Sequence, residues 1–383
     1  MHPDLIIIGG GILGTFHAYH ALNRGLKVQL FEKDLKPAGA TTQNFGQVVP
    51  SGMNHTWQQY GRRSLEIYKD LASKTDLSIR PNGSVYFASD DEELQLLEEL
   101  ATLNEQNQYP SQLLSAKECL SRYPGLRADY CKGGLFFPEE ITAESRQMIH
   151  EVLAFLVEQK GLDYRPNTLI QEAVVKNGSC SVTTNRGEEF QADKILICSG
   201  SEFKALFPEV FAQSDLEVSR LHMMQTVPQP QLRFAGNILT GLTIRRYEAF
   251  EECPSFAQIK AKEDPNAFWK KWGIHILFKQ APDGSVIIGD SHEYADAARA
   301  DELGYDLYPE VREYMLQEAA KIFDLETWQL SREWYGVYSQ CKTQEIFRHT
   351  IDGDIHILTG IGGKGMTGSP GFAEEHLGEI WGR

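Results

Sequence analysis

The chain has 383 residues, of which 42% are hydrophobic and 23% charged, a composition typical of a globular protein with roughly two domains. Its formal net charge of −16 disfavours nucleic acids and anionic membrane surfaces as partners. No apolar run approaches the roughly 18 residues that span a bilayer. The six cysteines are scattered without metal-ligand spacing, so we expect free thiols in a reducing cytoplasm and no metal site.

The first 32 residues carry the clearest motif. The apolar run Leu5–Ile8 predicts a buried parallel strand, a helix closes at Gly25, and a second strand over 27–31 ends at Glu32. Between the first strand and the helix stand the three glycines of a GxGxxG motif: Gly9, Gly11 and Gly14. These glycines permit a tight turn against a pyrophosphate, and Glu32 can accept from ribose hydroxyls. The pattern therefore predicts an ADP-containing cofactor, with its phosphates at the helix N-terminus.

The remaining elements follow from periodicity and turn residues. In chain order they are a glycine-rich loop at 37–53, a helix at 56–72, a helix from Ser89 to about Asn104, a helix from Ser115, a helix at 143–160, strands at 168–175, 180–184 and 188–198, an antiparallel sheet over 220–290, a helix at 309–323 and a strand at 354–359. Within the sheet region, Arg245 and Arg246 are expected at a strand end, where at most one of them enters a pocket.

The C-terminal tail contains a second GxGxxG, on Gly360, Gly362 and Gly365. The chain after it is too short for another strand–helix–strand unit, so this loop is not a second nucleotide fold and a nicotinamide site is disfavoured. Backbone N–H groups of 363–367, the final helix and the Lys364 ammonium suit the pyrimidine edge of a reduced flavin, which becomes negative. The tail therefore favours FAD over NAD.

At this point a family resemblance is clear over the whole chain. Gly9–Glu32, the 37–53 loop, Ile195–Gly200 and Gly360–Gly368 occur in the order of the D-amino acid oxidase/glycine–sarcosine oxidase superfamily. The resemblance implies an α/β fold: a Rossmann-like FAD domain similar to p-hydroxybenzoate hydroxylase, and an α+β substrate domain on a mixed antiparallel sheet. We assign residues 1–80, 140–220 and 340–383 to the FAD domain, and residues 81–139 and 221–339 to the substrate domain.

The resemblance and the motifs together give the candidate contacts of a noncovalent FAD. They are Gly9, Gly11, Ile12, Leu13, Gly14, Glu32, Lys33, Thr41, Thr42, Asn44, Phe45, Gly46, Gln47, Val174, Ser199, Gly200, Gly362, Gly363, Lys364, Gly365, Met366 and Thr367. Cys341 lies near the region where sarcosine oxidases tether FAD but is offset from the matching position. Ile287 stands near the place of their oxygen-activating lysine, so oxygen and another electron carrier both stay open as acceptors.

A narrower resemblance bears on the substrate. Asn44–Gly52, Gly289–Tyr294 and Trp334–Tyr338 look like the branch found beside phosphonate-degradation enzymes, which implies oxidation of an aminophosphonate related to 2-aminoethylphosphonate. In the superfamily, a hydride leaves the amine carbon for flavin N5 and the imine hydrolyses. Asn54 and Trp57 stand where sarcosine oxidases have arginines, and Tyr338 where glycine oxidases have one, so the usual carboxylate clamp is altered.

Candidate site residues follow from the same comparison. We predict catalytic roles for Lys364, His292 and His55, and substrate contacts for Asn54, Trp57, Arg245, Tyr247, His275, Arg332, Trp334 and Tyr338. An anion could also be met by Arg246 or Lys279. For each histidine the alternative is a structural role. For the two adjacent arginines it is a pair exposed to solvent, and for the aromatic residues it is packing in the core.

Other functions stay open beside aminophosphonate oxidation. The enzyme alternative is a glycine, sarcosine or D-amino acid oxidase or dehydrogenase, in which Arg332 or Arg246 replaces the missing arginine. An alternative from another class is a flavoprotein with a structural or tRNA-modifying partner role, which the net charge of −16 opposes. An NAD dehydrogenase would be colourless when purified, whereas a flavoprotein is yellow.

Overall fold

The computed structural model describes residues 2–176 and 178–382. The α-helices are α1 Ile12–Asn23, α2 Ala40–Gln43, α3 His55–Ala72, α4 Asp91–Gln106, α5 Ala116–Arg122, α6 Ser145–Lys160, α7 Pro208–Ala212, α8 Gly241–Ile244, α9 Phe256–Lys260, α10 Phe268–Lys271, α11 Pro309–Ile322 and α12 Gly365–Trp381. The strands of the first half are β1 Leu5–Ile8, β2 Val28–Phe31, β3 Gln47–Val48, β4 Ile79–Arg80, β5 Ser84–Ala88, β6 Gln112–Ser115, β7 Gly133–Phe137, β8 Ile141–Ala143, β9 Asp163–Arg165, β10 Ile170–Lys176 and β11 Ser179–Thr184. Those of the second half are β12 Glu189–Ala192, β13 Lys194–Ile197, β14 Leu216–Thr226, β15 Asn237–Leu239, β16 Leu277–Gln280, β17 Val286–Gly289, β18 Glu293–Asp296, β19 Leu330–Cys341, β20 Phe347–Ile351 and β21 Ile355–Thr359.

The first sheet has the strand order β20-β21-β13-β1-β2-β9. β1 pairs in parallel with both β2 and β13, and every residue of β1 is buried. A strand covered on both faces needs a continuous apolar run rather than an alternating one, which the sequence Leu5–Ile8 supplies. One face packs against α1, α3, α6 and α12, and the other against the β10–β12 sheet.

The second sheet is built around the long strand β14. Its order is β18-β14-β17-β16-β15-β5-β7-β6, and β19 also pairs with β14 over its full length. Residues of α11 and of α5 pack on one face of this sheet, and residues of α4 and α9 pack on the other. β15 and β5 pair in parallel, whereas β15 with β16 and β5 with β7 pair antiparallel. This mixed orientation confirms the predicted second sheet.

Most predicted elements occur within a few residues of their expected bounds. Ser115 forms a capping box with Glu118 at the start of α5, whereas α4, predicted from Ser89, begins at Asp91 with Asp90 as its N-cap. The carboxylate of Asp90 accepts from the backbone N–H of Glu93. Aspartate is as good an N-cap as serine. The N-cap of α4 is therefore Asp90 rather than the adjacent Ser89, one residue later than predicted.

The antiparallel sheet predicted over 220–290 is present at both ends of this range, in β14, β16 and β17, but the prediction was wrong for the segment between them. Short helices and turns occupy 241–272, between β15 and β16. Pro254 and Pro265 lack the N–H group that a sheet ladder requires, so they break the alternating pattern there. Arg245 and Arg246 consequently follow helix α8 rather than a strand.

The two sheets draw on interleaved segments of the chain. The strands β14 and β19 cross the predicted domain boundaries at residues 220 and 340, because each is one unbroken strand of the second sheet. The division into an FAD domain and a substrate domain stays a prediction. None of the described helices is long and apolar enough to cross a membrane.

Candidate active site

The turn after β1 requires glycine at two positions. Gly9 has φ +104°, and a Cβ placed on it would lie 2.3 Å from the carbonyl oxygen of Cys198. A Cβ on Gly14 would lie 2.0 Å from the carbonyl oxygen of Gly9. The helix α1 is thereby drawn against the end of β1, so that its N-terminus and the following residues Ile12 and Leu13 stand at the carboxyl edge of the sheet.

Glu32 stands at the end of β2, beside this turn. Its Oε2 accepts from the N–H of Gly10 at 2.9 Å, and its Oε1 accepts from the N–H of Asp34 at 3.0 Å. The side chain is 6% exposed, whereas neighbouring Lys33 is exposed. Both carboxylate oxygens are thus oriented by the backbone, and each keeps a lone pair for a ribose hydroxyl.

The 40–47 segment forms a second wall of the cofactor site. The Thr41 hydroxyl accepts from the N–H of Ile12 at 3.0 Å, and Thr42 bonds the carbonyl of Gly39. The Asn44 amide donates to the carbonyl of Thr41 at 2.7 Å and accepts from the N–H of Gly46. This folded loop places Thr41, Asn44, Phe45 and Gln47 along one cavity.

Further predicted cofactor contacts lie at neighbouring strand ends. Ser199 and Gly200 directly follow β13, which pairs with β1, and Gly200 has φ +63°. Val174 is half-buried on β10, in the three-stranded sheet that packs on the same parallel sheet. Ser199 and Gly200 thus stand at the sheet edge that carries the dinucleotide turn, whereas Val174 lies within β10.

The main cavity has a volume of about 610 Å³ and lies between two loops. One wall is the 40–53 segment, and the other is the 360–367 loop that leads into α12. Strands β17 to β19 and the 246–251 segment roof it and contribute Arg246, Tyr247, Asp290, His292, Tyr294 and Tyr338.

The residues around this cavity fit an FAD. The Gln47 side-chain nitrogen is buried and lines the cavity without a hydrogen-bond partner among the described residues, so a carbonyl-rich ring would satisfy it. A Cβ on Gly363 or Gly365 would meet no atom closer than 3.6 Å, so there is open space beside the backbone of this cavity-lining loop. Met366 and Thr367 are buried behind the loop, where the Thr367 hydroxyl accepts from the N–H of Val49.

Lys364 is bound by carboxylates across the cavity. Its Nζ lies 2.7 Å from Glu248 and 2.6 Å from Glu345, and 5.7 Å from the centre of the Trp57 ring. The Asn54 amide donates to both of these carboxylates at 3.1 Å, while its oxygen caps α3. Nearby carboxylates raise the pKa of Lys364 although burial acts against its charge, so the ammonium stays ionised.

Arg246 and His292 form a second connected polar wall of the cavity. The Arg246 guanidinium donates to the Tyr294 hydroxyl at 2.9 Å and to the carbonyl of Gly273 at 3.3 Å. Nδ1 of His292 lies 3.0 Å from the same carbonyl, and its ring stacks on Tyr294. Across residues 2–176 and 178–382, no carboxylate comes within ion-pairing distance of Arg246, so its remaining donors are available to an anion in the cavity.

Asp290 lies behind this wall, between two imidazoles. Its Oδ1 is 2.6 Å from Nε2 of His275 and 3.9 Å from Nδ1 of His292. Burial opposes the Asp290 charge, but the two histidines and Arg246 hold its pKa below the usual range. Burial, aided by Arg246, lowers the pKa of His292 to about 3, so this imidazole is neutral at physiological pH.

The His275, Asp290 and His292 cluster has the spacing of a metal site, since its potential ligand atoms lie within 4.8 Å of one another. Two features disfavour a cation there. The carboxylate is already engaged with His275, and the guanidinium of Arg246 places a fixed positive charge beside it. The three side chains are instead suited to take up or release a proton next to an anion bound in the cavity.

Several predicted site residues lie outside the cavity. Trp57 packs on Phe372 and beneath Gly368, in the core between α3 and α12. His55 is exposed at the start of α3, where its N–H donates to Glu252. The Trp334 indole donates to the carbonyl of Gln43, which fixes the back of the 40–47 loop.

The two other predicted arginines are also held elsewhere. Arg245 is bound by Glu93 at 2.8 Å and Asp90 at 2.7 Å, at the N-terminus of α4. Arg332 is exposed, and its Nε donates to Gln225. Both pairings turn the guanidinium away from the cavity, so Arg246 is the arginine that lines it.

Sequence reasoning missed Asp290, Glu248 and Glu345. Asp290 stands within the segment Gly289–Tyr294 singled out above, directly before Ser291 and His292, and an acid next to a candidate histidine was a usable signal. The two glutamates gave none, because they reach Lys364 from loops that are distant in sequence.

Comparison with known proteins agrees with this site. A protein-family model described as "FAD dependent oxidoreductase" matches residues 4–376. The chain is 24% identical over 236 residues to an opine oxidase subunit of Rhizobium meliloti, which is 58% of this chain and 63% of that protein. It is 24% identical over 201 residues to the mitochondrial Pyruvate dehydrogenase phosphatase regulatory subunit of Mus musculus, 51% of this chain and 23% of that protein. The chain therefore spans less than two thirds of the length of each of these relatives.

Solved structures show the same fold. The glycine oxidase from Geobacillus kaustophilus superimposes with a TM-score of 0.76 at 18% identity, over 99% of this chain and 95% of that one. The family match covers nearly the whole chain, and the dinucleotide turn, Glu32 and the two cavity loops fit its cofactor. The chain belongs to the family of FAD-dependent oxidoreductases, and its cofactor is FAD.

Proposed function

We propose that the protein oxidises the C–N bond of a small amine that carries an anionic group, with an aminophosphonate related to 2-aminoethylphosphonate as the first candidate. The observation that carries the proposal is Arg246, a cavity-lining guanidinium that pairs with no described carboxylate. A half-buried guanidinium with free donors is a strong binder of phosphonate or carboxylate oxygens. A glycine oxidase has a similar fold, and glycine is a small amine that carries an anionic group.

The chain's own residues divide the work between positioning and exclusion of water. Bound FAD supplies the acceptor for two electrons and a proton from the carbon next to the amine. Arg246 holds the anionic end, while the aromatic rings of Tyr247 and Tyr338 narrow the cavity around the carbon chain. His292, which lines the same cavity, is neutral and adds no positive charge there.

The wall around Lys364 would accept the amine. Glu248 and Glu345 carry two negative charges there against the single charge of Lys364, so this wall attracts an ammonium group. A substrate with an anion at one end and an amine at the other thus matches Arg246 on one side and the two glutamates on the other.

A carboxylate substrate such as glycine or sarcosine is the second candidate. It rests on the same guanidinium, because a planar carboxylate pairs with the arginine fork through two hydrogen bonds. A phosphonate has a third oxygen and a second negative charge, and the hydroxyls of Tyr294 and Tyr338 offer further donors on this wall. This surplus of donors places the phosphonate first.

We propose further that FAD is bound without a covalent link. Cys341 lines the cavity, but burial raises the pKa of its thiol to about 12, so the nucleophilic thiolate is scarce. Precipitation in acid should release all of the yellow colour into the supernatant. Colour retained by the precipitate would contradict this proposal.

The test of the function is anaerobic reduction of the bound FAD. Purified holoenzyme is mixed with 2-aminoethylphosphonate, its N-methyl derivative, glycine, sarcosine and D-alanine, and the flavin absorbance is followed. We expect rapid bleaching by an aminophosphonate and slow or no bleaching by the others. Bleaching by glycine or sarcosine alone would replace the phosphonate with the carboxylate candidate, and no bleaching by any amine would contradict C–N oxidation. Readmission of oxygen then shows whether oxygen is the acceptor or another carrier is needed.

A further inference from the structure

His292 and Arg246 are joined through one backbone carbonyl. Both lie within hydrogen-bond distance of the oxygen of Gly273, His292 through Nδ1 at 3.0 Å and Arg246 at 3.3 Å. A carbonyl oxygen only accepts, so the proton of the neutral His292 ring is on Nδ1. Nε2 is then the unprotonated nitrogen, and it belongs to a side chain that lines the cavity beside the guanidinium.

The groups around His292 balance each other in charge. Asp290 and Arg246 face it with opposite charges, and His275, Tyr294 and Tyr338 complete its surroundings. The neighbouring Glu293 is engaged with Arg220 and adds no free charge. Without an anion in the cavity, burial and Arg246 keep the ring neutral and lower its pKa to about 3.

A dianion changes this balance more than a monoanion does. A bound monoanion adds one negative charge to this balance and a dianion adds two, while Arg246 supplies free donors and one fixed positive charge that already faces Asp290. The second negative charge of a phosphonate would remain unpaired in a buried site, which is costly. Protonation of Nε2 supplies a second positive charge and a donor, and a nearby anion can raise a histidine pKa by several units.

We propose that His292 is the proton-accepting member of an anion subsite with Arg246, so that an organophosphonate dianion binds together with one proton while a monoanion binds without one. The inference rests on the proposed function, because it assumes that the substrate's anionic end faces Arg246. It makes His292 a specificity-determining residue for the charge of the substrate. The proton moves from solvent to Nε2, and no other bond changes.

The test uses anions that cannot be oxidised, so its outcome is separate from that of the anaerobic reduction experiment. Holoenzyme is titrated with methylphosphonate, methanesulfonate and acetate, and binding is read from the perturbed flavin absorbance. Calorimetry in two buffers of different ionisation enthalpy counts the protons taken up, at a pH above the second pKa of methylphosphonate. We expect uptake of about one proton with methylphosphonate and none with methanesulfonate, which has the same shape and one charge fewer.

The variant His292→Asn separates the two possible proton carriers. Its amide N–H can replace Nδ1–H on the Gly273 carbonyl, but the side chain does not titrate. We expect the proton uptake to vanish and the affinity for methylphosphonate to fall about tenfold or more, with methanesulfonate binding nearly unchanged. His349→Gln, which alters an exposed histidine of β20, is the matched control and should retain the uptake.

Three results would overturn the inference. Binding of methylphosphonate to the wild-type holoenzyme without proton uptake would mean that the subsite holds the dianion without protonation. Uptake that persists in His292→Asn would place the proton on the phosphonate itself. Failure of all three anions to bind would mean that the wall formed by Arg246 and His292 is not an anion subsite. If the variant does not fold, the ³¹P chemical shift of methylphosphonate bound to the wild-type holoenzyme still distinguishes a bound dianion from a protonated phosphonate, and a protonated phosphonate would overturn the inference.

Discussion

The carboxylate of Glu32 accepts a hydrogen bond from the backbone N–H of Gly10 at 2.9 Å, across 22 residues of the chain. The end of β2 is thereby tied to the glycine turn that follows β1, and the carboxylate is fixed at the carboxyl edge of the parallel sheet. Because the same oxygens face the position of a ribose, one acid both closes the turn and prepares the nucleotide site.

Replacement of Glu32 by glutamine should therefore weaken FAD binding. The amide would turn an N–H donor toward Gly10 or Asp34, each of which already presents an N–H. Loss of such charge-assisted hydrogen bonds costs about 1.5–3 kcal/mol, or roughly 10- to 100-fold in Kd. Titration of apoprotein with FAD measures this loss. Asp34→Asn, an exposed neighbour, should bind FAD like the wild type, and an unchanged Kd in Glu32→Gln would contradict the assigned role.

Local sequence patterns predicted the strand, the glycine turn, the helix and the position of Glu32, for a physical reason. The glycines, the buried strand and Glu32 occupy one contiguous unit, so their spacing fixes their geometry. The substrate wall depends instead on how distant segments meet. Arg245 and Arg246 are adjacent in sequence, yet the first binds Glu93 and the second lines the cavity, which no local pattern distinguishes.

The two adjacent arginines give a pair of predictions, and the first concerns the effect of Arg246 on activity. Arg246→Met should raise the KM for an anionic amine about 100-fold, because the guanidinium contributes about 3 kcal/mol of charge-assisted binding. The folding stability should change little, since Arg246 pairs with no described carboxylate. Steady-state kinetics and thermal unfolding of the same preparation measure both quantities. An unchanged KM would remove Arg246 from the substrate site.

The second prediction of the pair concerns the effect of Arg245 on folding stability. Arg245→Met should lower the free energy of unfolding by about 3 kcal/mol, because it leaves the buried carboxylate of Glu93 without its ion pair. The KM for the substrate should stay near the wild-type value in whatever fraction remains folded. Denaturant unfolding checks the first statement and kinetics the second. A large KM increase without destabilisation would show that Arg245 reaches the cavity after all.

Lys364 connects the flavin loop to two acidic segments, and its removal should alter the cofactor. Lys364→Met leaves Glu248 and Glu345 unneutralised beside the cavity, so the reduced and more negative form of FAD becomes less favourable. We expect the two-electron reduction potential to fall by about 30 mV, which corresponds to about 1.4 kcal/mol. Lys342→Met, at the cavity edge and paired with Asp296, is the control. If the reduction potential were unchanged and the Tm lower, the role of Lys364 would be limited to connecting the flavin loop with the two acidic segments.

Glu140 makes the stability of the fold depend on pH in an unusual direction. It is fully buried, and burial raises its pKa to about 7, so the folded state retains a proton that the unfolded chain has released above about pH 4.5. The folded state binds more protons in that window. Stability therefore falls as the pH rises from about 4.5 to about 7, by as much as about 3 kcal/mol in total.

Glu140→Gln should remove this pH dependence. Oε1 of Glu140 accepts from the Ser51 N–H and the Tyr109 hydroxyl, both at 2.8 Å, and Oε2 has no partner within the described part of the chain. A glutamine keeps the first oxygen and replaces the second with a neutral amide. The variant should be more stable than the wild type at pH 8 and close to it at pH 5, in denaturant unfolding at each pH. Glu139→Gln, its exposed neighbour, should match the wild type at both. Equal destabilisation of Glu140→Gln at both pH values would mean that its charge is needed for folding.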